Sequence, residues 1–424
     1  MKKIQAFSVL IEMKREFIAR LKPETLKNHD GKSFTRKRKL TLDRLLTIII
    51  RCSPFSAQIR LDDYFKEIGH KEEVVSKQAF SKARTNLNPD VVRESFNMTA
   101  QVLSSSEDLE LFKNKYRLCA IDGSTLTLDN NDELLTYFGG SGQNHDCVSA
   151  LASMCYDPLN NIVLDGSLYP YGTSEREAAE DHFGIVETLP LPEGAKNLYV
   201  MDRGYPSLEL IAKMIDNKQY FLMRVRKKFN LDFDLSNGDE EVTLSHNDNH
   251  YQVRVIKVTL KTGEEELLVT NLPTEHMTSK EAGEVYFDRW KIETKFDSLK
   301  NKLELENMSG RRVITTFQDF WAKLDLANMA AALAYVTNET IEDNSAHKAN
   351  KYKHKTNESR LITKFSDSYL DLLTRESVDD RLALFDDLVK DISRRPTEIK
   401  PDRSSTRKKP RKKKYSDRIK SSLR

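Results

Sequence analysis

The chain has 424 residues and a formal net charge of +3, with 38% hydrophobic and 31% charged residues, enough for two or three domains around a sizeable core. No apolar run approaches the roughly 20 residues of a membrane span. The start "MKKIQAFSVLIEMKREF" interrupts its apolar segment with Glu12 and Lys14 too early for a signal peptide, so a cytoplasmic protein is expected.

The first hundred or so residues read as helical. An apolar-periodic segment, "LTLDRLLTIIIRCS", follows the basic cluster "TRKRKL". Next, "RLDDYFKEIGHKEEVVSKQAFSKARTNLNP" predicts a helix, a Gly69-His70 break and a second helix that stops before Pro89. That spacing fits either a helix-turn-helix or the solvated face of a small helical domain. In the first case Lys77, Gln78, Ser81, Lys82 and Arg84 would face outward toward phosphates and base edges.

From Tyr116 the texture changes to strands: "YRLCAIDGSTLTL", "CVSALASMCYDP" and "NIVLDGSLYPY", separated by turn chemistry. A helix "SEREAAEDHFGIVETL", a strand "NLYVMDRGY", a helix from a Pro start and a strand "QYFLMRVR" follow. This order predicts a mixed sheet flanked by helices. Between about 225 and 270 the alternating strands joined by Asn-Gly and Thr-Gly turns read as a β-rich insertion or an extension of the sheet. "TSKEAGEVYFDRWKIETKFDSLKNKLELENMSG" is then expected to form one long helix with a Thr278/Glu281 capping box, followed by an apolar helix. After Asn338 the chain is charged and of low expected order, and residues 401–424 carry eleven Lys/Arg against two Asp. That tail is either a solvated segment or a non-specific DNA anchor.

Four residues within the long helix share a face. At about 100° per residue, Tyr286, Arg289, Glu293 and Lys300 fall within an arc of roughly 60°. By itself this is equally a solvated face stabilised by the Arg289/Glu293 pair. Two further acids weigh against that reading. Asp122 in "LCAIDG" and Asp202 in "LYVMDRG" sit in or at the end of buried-looking apolar strands, where an unpaired carboxylate is costly. Two strand acids and a helical glutamate, with hard oxygen ligands and no His or Cys cluster, suit a site for Mg²⁺ or Mn²⁺, and a pair of such ions suits phosphodiester cutting. Asp129, Asp132, Asp157 and Asp165 lie in connections rich in turn residues and read as turn or surface acids. The cysteines Cys52, Cys119, Cys147 and Cys155 have no zinc spacing, and His182 has no spacing that assigns a role.

The string Tyr286-x2-Arg289-x3-Glu293-x6-Lys300, with "DRGY" at Asp202 to Tyr205, resembles the Y-R-E-K signature of the insertion sequence 4 family of DDE transposases. The resemblance covers about residues 115–335. It implies a ribonuclease H-like α/β domain with a β-rich insertion, and a metal-binding catalytic triad of Asp122, Asp202 and Glu293. It also implies phosphate contacts by Tyr286, Arg289 and Lys300. The expected division is a helical DNA-binding domain over 1–110, the catalytic domain over 111–338 and a charged region over 339–424. The expected activity is cleavage and strand transfer at the terminal inverted repeats of an insertion sequence. It would use two Mg²⁺ or Mn²⁺ ions and a homodimer that holds two double-stranded ends and the target DNA. Two rivals stand beside it. A tyrosine recombinase would need an H-x-x-R pair, which none of the nine histidines provides; a domesticated transposase or regulator would bind DNA without cutting it.

Overall fold

The computed structural model describes residues 2–22, 34, 38–51, 57–142, 147–259, 263–346 and 351–400. The basic tail 401–424, part of the "TRKRKL" cluster and Cys52 lie outside the described residues. The contacts of the chain group into two compact units. One comprises residues 1–108, 126–150 and 298–424; the other comprises 109–125 and 151–297.

The chain begins with α1 (Lys3–Arg20), α2 (Leu42–Ile50), α3 (Ala57–Glu67), α4 (Lys77–Thr85) and α5 (Asp90–Ser104). Two of these starts are set by local side-chain chemistry: Ser76 Oγ accepts the Ala79 N–H at the head of α4, and Asn88 Oδ1 accepts the Asp90 N–H before α5. The expected pair of helices around the Gly69 break is therefore α3 and α4. Lys77, Gln78, Ser81 and Lys82 are exposed, as expected. Arg84 is not: it is 2% exposed, with Nε on Gln318 Oε1 at 3.0 Å, Nη1 on Ser309 Oγ at 2.6 Å and Nη2 on Asp319 Oδ1 at 2.8 Å. Helical spacing from Phe80 turns position 84 inward, and a buried guanidinium must be paired.

Next come β1 (Tyr116–Thr127), α6 (Asp132–Phe138), β2 (Gly140–Ser141), β3 (Cys147–Asp157), β4 (Ile162–Pro170), α7 (Glu175–Val186), β5 (Lys196–Met201), α8 (Leu208–Asp216) and β6 (Tyr220–Val225). After α9 (Leu231–Leu235) the chain forms β7 (Asp239–His246), β8 (Asn249–Thr259) and β9 (Glu265–Thr270). The strand order is β3-β1-β5-β6-β9-β8-β7, with β4 against β3 and the short β2 against the start of β3. β5 runs parallel to both β1 and β6. Three consecutive strands followed by two that cross over through helices give the ribonuclease H-like order. β9 pairs antiparallel with β6, and β8 and β7 follow in the same sheet. The stretch from 225 to 270 thus extends the sheet. Leu118, Leu198, Val200, Leu222, Ile256 and Leu268 line one core with Val285 and Tyr286 packed on it. Each fully buried aliphatic side chain there contributes about 1.5–3 kcal/mol.

Two acids read as turn or surface residues are buried. Asp165 Oδ2 lies 2.6 Å from His182 Nδ1, and His182 Nε2 lies 2.9 Å from Ser153 Oγ. All three are at most 1% exposed, so the chain of polar contacts fastens α7 to β3 and β4. Asp157 is 0% exposed but is indeed a turn acceptor, taking the Leu159 and Asn160 N–H groups on Oδ1. Burial pushes its carboxyl up to about 6 against the pull of Asn160, Arg117 and Leu159. The folded state then holds this proton more tightly than the unfolded chain, so stability falls as pH rises from about 4 to about 6 and levels off above. In Asp157→Asn that fall is expected to shrink by roughly 1–3 kcal/mol, read as the difference between urea midpoints at about pH 4 and about pH 7.

The last elements are α10 (Ser279–Asp288), α11 (Lys291–Lys302), α12 (Val313–Ser345), β10 (Lys353–Lys355), α13 (Glu358–Thr374), α14 (Val378–Ser393) and β11 (Thr397–Ile399). α12 is apolar on most of its circumference and packs against α1, α2, α5 and α14. The described residues after Asn338 are more regularly folded than their charge suggests. Leu361, Phe365, Tyr369 and Leu372 of α13 and Leu388 and Ile392 of α14 are buried, an amphipathic pattern hidden in the sequence by the surrounding charge.

Candidate active site

The register of β1 on β5 builds the site. Ile121 pairs with Met201, so Asp122 and Asp202 follow side by side where two adjacent parallel strands stop pairing. Carboxyl ends of parallel strands are where open α/β sheets leave a crevice for ligands. Asp122 Oδ1 accepts the Gly123 N–H at 3.0 Å, and Asp202 Oδ1 accepts the Arg203 N–H.

The helix expected to carry the signature is broken. α10 ends at Asp288 and α11 starts at Lys291, with the Arg289, Trp290 and Ile292 N–H groups bonding three residues back instead of four. The break admits the Arg289 side chain, 2% exposed, between the rings of Tyr286 and Trp290, each 5.4 Å from its guanidinium carbon. From there Nη2 lies 3.4 Å from Glu293 Oε1 and Nη1 lies 3.9 Å from Asp122 Oδ2. Tyr286 Oη donates to Asp202 Oδ1 at 3.2 Å. The tyrosine and arginine of the signature therefore touch all three acids. Lys300 is half-buried in the last turn of α11 and falls in the other unit. Trp290 is 42% exposed, whereas Trp321 is in the core of its unit at 4%.

The electrostatics record crowded negative charge. Burial pushes the Asp122 carboxyl up to about 7, and Glu293 and Glu175 add to the rise while Arg289 and the Gly123 N–H oppose it. Burial works against the Arg289 charge, but Tyr286, Asp122, Asp202 and Glu293 more than offset it and hold the guanidinium above its ordinary value. Burial likewise pushes the Tyr286 phenol up to about 12.

These residues fit a divalent cation. All donors are hard oxygens, and a cation would offset the burial, and the smaller repulsion from Glu293 and Glu175, that raises the Asp122 carboxyl. Among the described residues no three His, Cys, Asp or Glu side chains are already gathered as a ligand set, and Arg289 lies within ion-pair distance of both Asp122 and Glu293.

The family described as "Transposase DDE domain" matches residues 113–329, a little over half of the chain. The chain belongs to the DDE transposases. Over 258 residues it is 24% identical to the "Putative transposase for insertion sequence element IS4SA" of Synechocystis, covering 59% of this chain and 70% of that protein. A cryo-EM structure of the piggyBac transposase synaptic complex with hairpin DNA aligns with 95% of this chain and 87% of its own at 10% identity, with a TM-score of 0.45. The transposase is thus an enzyme of a class that uses divalent metal ions, and its partner is DNA. Among the described residues no helix of this transposase is long and apolar enough to cross a membrane. Two residues of the site, Glu175 and Tyr205, were not singled out from sequence. Tyr205 lies inside the "DRGY" motif, and Glu175 opens a helix where an acid ordinarily reads as a dipole partner.

Proposed function

We propose that this transposase binds the terminal inverted repeats of an insertion sequence and performs metal-dependent strand cleavage and strand transfer there. The observation that carries the reading is the β1/β5 register, which sets Asp122 beside Asp202, with Glu293 joined to Asp122 through Arg289. Asp122, Asp202 and Glu293 would hold Mg²⁺ or Mn²⁺, two ions in the full complement, which when bound supply Lewis-acid stabilisation of charge on the phosphate.

In the first step a water oxygen attacks the phosphorus at the element's end, the bond to the 3′ oxygen breaks, and the 3′ hydroxyl is released. In the second step that hydroxyl attacks a target phosphodiester, displacing the target's own 3′ oxygen. The chain supplies positioning and charge rather than a covalent nucleophile. Tyr286 fixes Asp202, and Arg289 fixes Asp122 and Glu293. Arg289 Nε and Nη1 have no hydrogen-bond partner among the described residues and are candidate donors to a phosphate oxygen; Lys300 is the signature's other candidate phosphate contact. Lys77, Gln78 and Lys82 on α4 form the candidate DNA-reading face, and a homodimer brings two ends together.

The test is cleavage of duplex DNA carrying the flanking inverted repeat by purified protein. Nicks leaving a 3′ hydroxyl are expected with Mg²⁺ or Mn²⁺ and none with EDTA. Binding without cutting under either metal would replace this reading with that of a protein that occupies ends only.

A further inference from the structure

Glu175, the first residue of α7, stands against the backbone at Gly123 and Gly204, beside the two aspartates. A methyl group placed on Gly123 would lie 3.1 Å from Glu175 Oε1, and one placed on Gly204 would lie 3.3 Å from Glu175 Oε2. The two glycines that follow Asp122 and Asp202 thus leave a slot that the Glu175 carboxylate fills. Its placement is anchored at several points. His182, two turns along the same face of α7, is tied to Ser153 and Asp165, and Arg176 Nε donates to the Gly204 carbonyl at 3.3 Å.

A second observation points to a ligand at this spot. The Tyr205 hydroxyl is buried, with the residue 1% exposed, and has no hydrogen-bond partner among the described residues. Besides burial, the charges close enough to act on it are those of Asp122, Glu175, Arg289 and Asp202. Burial and the neighbouring Asp202 also raise Glu175 above the ordinary carboxylate range.

We propose that Glu175 is a fourth carboxylate of the metal site, completing a divalent cation's oxygen shell beside Asp122 and Asp202, with the Tyr205 hydroxyl bonded to that shell. This rests on the reading of Asp122, Asp202 and Glu293 as the metal-binding acids. The rival role is a helix-dipole partner at the start of α7, which would contribute about 0.3–1 kcal/mol to stability and nothing to metal affinity.

The experiment is titration of the full-length, metal-free protein with Mn²⁺, following free Mn²⁺ by electron paramagnetic resonance, for wild type, Asp202→Asn and Glu175→Gln. Thermal unfolding and inverted-repeat binding in EDTA run alongside. Glu175→Gln is expected to bind Mn²⁺ at least about tenfold more weakly, a loss of roughly 1.4 kcal/mol. Its melting temperature and DNA binding in EDTA should stay at the wild-type level. Affinity within twofold of wild type while Asp202→Asn loses binding would overturn the role of Glu175 and leave the aspartates' role standing. Equal Mn²⁺ binding by wild type and Asp202→Asn would overturn the metal-site reading itself, and this inference with it. A lower melting temperature in EDTA with unchanged Mn²⁺ affinity would assign Glu175 to the helix dipole.

Discussion

Glu293→Gln is expected to reduce strand cleavage at the inverted repeat by about 1,000-fold or more, while the protein still folds and binds the same DNA in EDTA. The substitution keeps size and one acceptor oxygen but removes a charge from the first turn of α11. A carboxylate that helps hold a cation against a developing phosphorane acts on the transition state more than on bound DNA. Losing one such electrostatic contribution costs about 4 kcal/mol, or about three orders of magnitude in rate. Folding should be spared because Glu293 is only half-buried, at 34% side-chain exposure, and its contact with Arg289 is a long one at 3.4 Å. Arg289 keeps Asp122 and both aromatic rings. Single-turnover cleavage with Mg²⁺ beside a gel-shift titration in EDTA checks both halves of the expectation. Wild-type cleavage by the variant would remove Glu293 from the chemistry and reduce the Tyr286-to-Lys300 string to a structural feature.

Lys14→Met is expected to destabilise the helical unit by about 3–5 kcal/mol, seen as a large drop in the urea midpoint. The Lys14 side chain is 0% exposed, and its ammonium meets the Ser95 carbonyl at 2.6 Å, Ser95 Oγ at 2.7 Å and Asp325 Oδ2 at 2.5 Å. Asp325 is equally buried and also accepts from Ser95 Oγ and Thr99 Oγ1. One ion pair thus joins α1, α5 and α12. Burial draws the Lys14 ammonium below its ordinary value while Asp325 pulls it back up, so the charge is kept only by its partner. Methionine fills the space of the stem but leaves Asp325 as an uncompensated carboxylate in the interior. The double variant Lys14→Met/Asp325→Leu is expected to recover most of the loss, since removing both charges removes the desolvation cost with them. A double variant no more stable than Lys14→Met would mean that packing, not charge, sets the cost.

The sequence by itself was enough for the mixed sheet flanked by helices, and it put the three acids forward as candidates. Asp122 and Asp202 each terminate an apolar run at a glycine turn, and strand ends, turns and caps are encoded within a few neighbouring residues. The same local signals failed where a long-range partner decides the outcome. Arg84 has the residue type of a DNA contact, yet Asp319, 235 positions away, draws it inward. Asp165 has the context of a turn acid, yet His182 receives it in the interior. The signature reads as one continuous helix face, but the helix is broken between Asp288 and Lys291, and Arg289 packs against Tyr286 and Trp290 with its guanidinium toward the acids. Only the tertiary structure could set Asp122 beside Asp202, because that proximity is a strand register formed across 80 residues of chain. Only it could bring Glu175 into the slot left by Gly123 and Gly204. Charges act through space within a few ångströms, and no spacing along the chain reports which charges the fold will crowd together.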